Sequence, residues 1–164
     1  MGADGSEFWA FALAFYARPG IAPLCLRLQA EGDADVLLLI AHCHAFARGA
    51  PLTGAECGAL RDHMADWRAR AVLPLRALRV DLRAPVPHLP EAEREAFRDR
   101  LKQLELAAEK VQAGLIATWL STRRLAEAGD FARTLRAIIG AAALPDSDLA
   151  LLAEAARAAI PSSV

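Results

Sequence analysis

The chain has 164 residues, 55% of them hydrophobic and 24% charged, which supplies a substantial core and argues against a disordered chain. Its formal net charge of −1 lacks the cationic excess that a nucleic-acid or membrane-surface binder needs, so neither is an expected partner. The three cysteines, Cys25, Cys43 and Cys57, show no CxxC spacing and read as reduced, mostly buried thiols of a cytosolic protein.

The opening MGADGSEF is acidic, unlike a secretory signal, and residues 1–6 are expected to fray. Ser6 can cap a first helix over about 7–17, which ends before Arg18-Pro19-Gly20. That helix carries no charge from Phe8 to Ala17. Phe8, Phe11 and Phe15 form a stripe with Trp9 beside it, so the helix is either plain core or a homodimer contact. A second helix, about 21–31, admits Pro23 in its first turn and stops at Gly32. Asp33 or Asp35 caps a third, about 35–48, which stops at Gly49. Thr53-Gly54-Ala55-Glu56 is a capping box opening a fourth, which runs to about 83 with Pro74 as a kink or a restart.

APVPHLP, residues 84–90, is a proline-rich loop, and Pro90 suits the first position of a long fifth helix reaching about 126. Gly129 and Asp130 break and recap the chain into a sixth helix, about 131–143. Pro145-Asp146 starts a seventh, about 147–159, leaving 161–164 as a frayed end. No alternating run long enough for a strand occurs. The expected fold is therefore all-α: one domain over 1–164, a bundle of six or seven helices.

Two spacings set the expected pairing. Phe97, Leu101, Leu104, Ala108, Val111 and Leu115 recur at four-three intervals on the fifth helix, and Leu60, Met64, Trp67, Ala71, Pro74 and Leu78 do so on the fourth. The short loop between them predicts a long antiparallel hairpin, about 54–83 against 90–126, zipped along those seams. The pairs Glu91/Arg94, Glu95/Arg98 and Lys102/Glu105 then fall on a solvated outer face.

His42-Cys43-His44 lies within the third helix. Residues two apart on a helix point nearly opposite ways, at ~100° per residue, so the two histidines cannot share a metal. His44 is expected to be partly buried in the bundle, a candidate pocket residue, and His42 to lie at a boundary. Asp62 and Asp66 share a face but have no second acidic pair to hold magnesium, and read as solvated carboxylates. Residues 61–83 hold six arginines against three aspartates. Arg68, Arg76 and Arg79 flank the Trp67 seam, a face that could grip a carboxylate or phosphate. No GxGxxG, P-loop, GxSxG or HExxH pattern occurs, and no catalytic residue, metal or cofactor is expected.

FWAFALAFYARPG, CLRLQ, DVLLLI and WRARAVLPLRALR, in that order, resemble a family of small proteobacterial helical proteins of this length, a domain of unknown function. The resemblance covers about residues 7–83, with a weaker echo along the fifth helix. It implies a cytosolic helical protein and transfers no activity, ligand or catalytic residue. The functional expectation is a non-enzymatic cytoplasmic protein-interaction module, binding another protein or a second copy. Its candidate faces are Phe8, Trp9, Phe11 and Phe15 on the first helix and Trp67, Arg68, Arg76 and Arg79 on the fourth. The alternative is a small-ligand or metal-binding enzyme or sensor with its site inside the bundle.

Overall fold

A computed structural model describes residues 3–32, 34–123, 129–140 and 144–160. The helices are α1 (Ala3–Tyr16), α2 (Ile21–Gly32), α3 (Val36–Ala47), α4 (Gly54–Trp67), α5 (Leu73–Asp81), α6 (Glu91–Thr122), α7 (Phe131–Ile139) and α8 (Asp146–Ala159). A π-helical turn, Arg68–Val72, joins α4 to α5 without a break. No strand occurs among the described residues, and no single helix there is long and apolar enough to cross a membrane.

The expected caps account for the boundaries. Asp35 caps α3, its carboxylate accepting from the Leu37 and Leu38 N–H groups; Asp33, the other candidate, lies outside the described residues. Gly49, at φ +78°, ends α3 in a Schellman motif, with Gly49 N–H on Phe46 O and Ala50 N–H on Ala45 O, both at 2.9 Å. Thr53 and Glu56 cap one another at the start of α4. The first helix starts at Ala3, earlier than expected. The expected ends of the fifth and sixth helices, near 126 and 143, and the frayed tail at 161–164 fall outside the described residues.

α3 is the central rod. It packs on α1, α4, α6, α7 and α8, and Leu38 through Cys43 are buried on every side of it. α1 lies antiparallel to α6 and drives Phe8, Phe11 and Phe15 into the same core, none more than 4% exposed. Their apolar edge is thus covered within the chain, and only Trp9 of the four aromatic candidates is half-buried.

The antiparallel hairpin forms, but its zipper differs from the expected one. Leu60 and Met64 are buried as expected, whereas Pro74 and Leu78 are exposed. The cause is the π turn, in which the Leu73 N–H reaches back five residues to Arg68 O. Pro74 has no N–H to donate, and its ring crowds the carbonyl four residues back; widening the turn relieves both. The extra residue rotates everything beyond Val72, so Arg76 and Arg79 turn toward α6. On α6 the inward row is Arg94, Leu101, Glu105, Ala108 and Gln112, while Phe97, Leu104 and Val111 are each about half exposed. Arg94 and Glu105, expected on the solvated face, are buried, and Glu105 pairs with Arg76 and Arg79 rather than with Lys102.

Candidate functional site

Beside the π turn lies a cleft of about 240 Å³. One wall is aromatic and aliphatic: Trp9, Leu13 and Tyr16 of α1, with Val36 and Ile40 of α3. The opposite wall is Arg68 and Val72 of the π turn, Arg76 of α5, and Leu106, Glu109 and Gln112 of α6. In an uninterrupted α-helix, positions 68 and 76 would diverge by about 80°. The residue absorbed by the π turn brings them back to one side, and both line the cleft.

The polar groups of that wall form two sets, one around Asp35 and one around Glu105. Arg68 Nε lies 2.9 Å from Asp35 Oδ2, so the carboxylate that caps α3 also fixes the guanidinium. Gln112 Nε2 approaches the same oxygen at 3.4 Å and Met64 Sδ at 3.5 Å. Arg76 divides its donors, Nε to Glu105 Oε1 at 2.8 Å and Nη2 to Glu109 Oε1 at 2.6 Å. Arg79 completes the cluster on Glu105. Burial pushes the Glu109 carboxyl above its ordinary range; Arg76 pulls it back in part, and Glu105 and Asp35 add to the rise. Burial acts on Glu105 in the same sense, but the hydrogen bonds from Arg79 and Arg76 outweigh it and hold that carboxyl low.

Of the arginine face expected from the sequence, Arg68 and Arg76 therefore meet at one cleft. Arg79 does not line it. Trp67 does not either; its indole N–H donates to Ala108 O at 2.9 Å and fastens the π turn to α6. Asp62 and Asp66 are exposed and pair with no base among the described residues.

The two histidines face opposite sides of α3, as their spacing requires; His44 is partly buried as expected, whereas His42, expected at a boundary, lies deeper. His42 is fully buried, stacked on Phe131 of α7 at 5.1 Å, with Nε2 3.1 Å from Phe131 O and Nδ1 unpaired. His44 meets the ring edges of Phe8 and Phe11 at 5.5 and 4.7 Å and borders a second hollow of about 360 Å³, apart from the arginine cleft. Burial lowers the pKa of both to about 4. No group of three His, Cys, Asp or Glu that could hold a metal stands together among the described residues.

Two features escaped sequence reasoning. Tyr16, Glu109 and Gln112 line the cleft at positions that the expected zipper left unassigned. Arg123 grips Glu56 with Nε and with Nη2, the latter at 2.9 Å, and donates from Nη1 to Ala50 O at 2.7 Å, which ties the end of α6 to the α4 capping box. A cap glutamate carries no sign in the sequence that a distant arginine shares it.

Residues 7–116, about two-thirds of the chain, match a family model described as "Protein of unknown function (DUF2390)". The matched span runs from α1 into α6, takes in every residue that lines the arginine cleft, and leaves α7 and α8 outside it. No curated protein and no solved structure matches the chain. With its helical order from α1 to α6 inside that span, the chain belongs to the DUF2390 family of proteins of unknown function.

Proposed function

We propose that the chain is a non-enzymatic protein-interaction module of the cytoplasm, and that its docking element is the arm formed by α5, the loop after it and the first half of α6. One observation carries the reading. Among the described residues, seven of the ten large apolar side chains that stand exposed (Leu78, Val80, Val86, Leu89, Phe97, Leu104 and Leu106) fall on this arm. Apolar surface gathered in one place favours an interface, whereas single exposed residues do not. α5 buries no residue of its own and packs chiefly along α6 and the π turn.

The occupant we propose is the arm of a second copy. Phe97, Leu104 and Val111 recur every seven residues, the interval at which two helices pack as a narrow seam, and Leu104 sits midway in the row. The near-zero net charge sets up no repulsion between copies. Arg76 and Arg79 contribute little, since their guanidinium groups are held by Glu105 and Glu109.

Sedimentation velocity tests this. The wild type is expected to dimerise with rising concentration, and Leu104→Glu to stay monomeric with unchanged helicity. In addition, Leu104→Cys is expected to give a disulfide-linked dimer on mild oxidation, because Cys25, Cys43 and Cys57 are buried. A wild-type monomer at every concentration, or a dimer indifferent to Leu104→Glu, overturns the self-pairing.

A further inference from the structure

The geometry points to the cleft between α1, α3, the π turn and α6 as a binding site for a small carboxylate with an aromatic or branched apolar body. It differs from the proposed docking arm in chemistry and shares with it only Arg76 and Leu106.

The apolar walls and the volume of about 240 Å³ call for a compact hydrophobic body, and Trp9 and Tyr16 supply aromatic lining for it. The polar end of the ligand follows from which groups are already engaged. Asp35 has both oxygens occupied, Oδ1 by two backbone N–H groups and Oδ2 by Arg68. Glu109 has one oxygen on Arg76. Donors are left over: both Nη atoms of Arg68, Nη1 of Arg76 and the Tyr16 hydroxyl have no hydrogen-bond partner among the described residues. A carboxylate is the planar acceptor that two guanidinium groups meet best. The four charged groups facing the cleft, Arg68 and Arg76 against Asp35 and Glu109, sum to zero, so an entering anion meets no net repulsion.

Arg68 is held in place before any ligand arrives, because Asp35 is itself fixed by capping α3. Such a preset donor binds without first losing side-chain freedom. Ala12, Ile40 and Val72 are the buried apolar part of its lining, and Leu13 and Leu106, both about half exposed, form its solvent-facing border.

The experiment is titration of the full chain with phenylacetate, followed by calorimetry and by amide chemical shifts. Phenylacetamide and phenethylamine serve as neutral and cationic comparators. Phenylacetate is expected to bind one per chain, with shifts centred on α1 and the π turn, and about tenfold more tightly than either comparator. Arg68→Gln should remove most of that preference. Because Arg68→Gln also strands Asp35, Leu106→Trp is the second variant: it fills the mouth of the cleft from an exposed position and should abolish binding with the fold intact. Equal binding of the three probes, shifts away from the cleft, or unchanged binding by Leu106→Trp overturns the assignment. None of these outcomes bears on whether the arm self-associates.

Discussion

Gly129 shows how much one missing side chain can decide. A Cβ placed there would lie 2.1 Å from Leu52 O and 2.8 Å from Thr53 N, inside the backbone of the α3–α4 connection. The Gly129 N–H bonds to Pro51 O at 2.9 Å across the same contact. Gly129→Ala must push two backbone segments apart, and is expected to cost about 2 kcal/mol or more, read as a lower urea midpoint. An unchanged midpoint would contradict the close approach. His42 gives a second residue-level expectation. Its imidazole takes a proton near pH 6.5 when unfolded but near 4 when folded, because burial outweighs the bond to Phe131. Between those values the unfolded chain holds more protons, so stability is complete above pH 6.5 and is lost as pH falls toward 4. The loss is about 2–3 kcal/mol, and His44 adds a similar one. His42→Gln keeps a donor near the Nε2 position and does not titrate. It should roughly halve the steepness of stability against pH over that range, while an unchanged slope would place the titration elsewhere.

At the scale of elements, most helix boundaries were legible because their signals are local. Asp35, the Thr53–Glu56 box, Gly49 and Pro90 act within one turn of where they stand. The facing of the long hairpin was not legible, because it depends on a partner. Hydropathy favours Phe97, Leu104 and Val111 as the α6 seam; the protein instead turns Glu105 and Gln112 inward, where the rotated arginines of α5 and the end of α4 meet them. The π turn ahead of Pro74 causes that rotation, and a proline in a helix announces a disturbance without stating its sign. The cleft was half legible for the same reason. Arg68 and Arg76 were singled out by composition, but Tyr16, Glu109 and Gln112 join them only once the rotation is known. A pair of substitutions reads the register directly. Glu105→Gln weakens the acceptor for Arg76 and Arg79 and should lower stability by about 1–2 kcal/mol. Lys102→Gln, on the exposed side, should stay within about 0.5 kcal/mol. Equal effects would mean that Glu105 does not face the arm's interior.

Across the whole molecule, cohesion is uneven. The body around α3 is held by apolar burial on every side, in which Leu38, Leu39, Leu60, Met64, Ile116 and Leu152 are fully enclosed. The arm is held differently. α5 contributes no buried residue, and Arg76 and Arg79 on Glu105 and Glu109, with Arg98 Nε donating to Arg79 O, form the links along it. Partly exposed ion pairs give little net stability and are screened by salt, whereas apolar burial is not. The arm should therefore open on its own, at a free-energy cost well below that of global unfolding. Hydrogen exchange of the isolated protein distinguishes the two parts. Amides of α3 should exchange only through global unfolding, and those of α5 much faster. Raising sodium chloride from low ionic strength toward ~1 M, where the screening length falls to about 3 Å, should speed α5 further and leave α3 unaffected. The salt comparison is made at a concentration where the chain is monomeric, since pairing of two arms would protect α5 by itself. If α5 and α3 exchange with the same protection at both salt concentrations, the arm is part of one cooperative unit, and the division into an apolar body and an ionic arm is wrong.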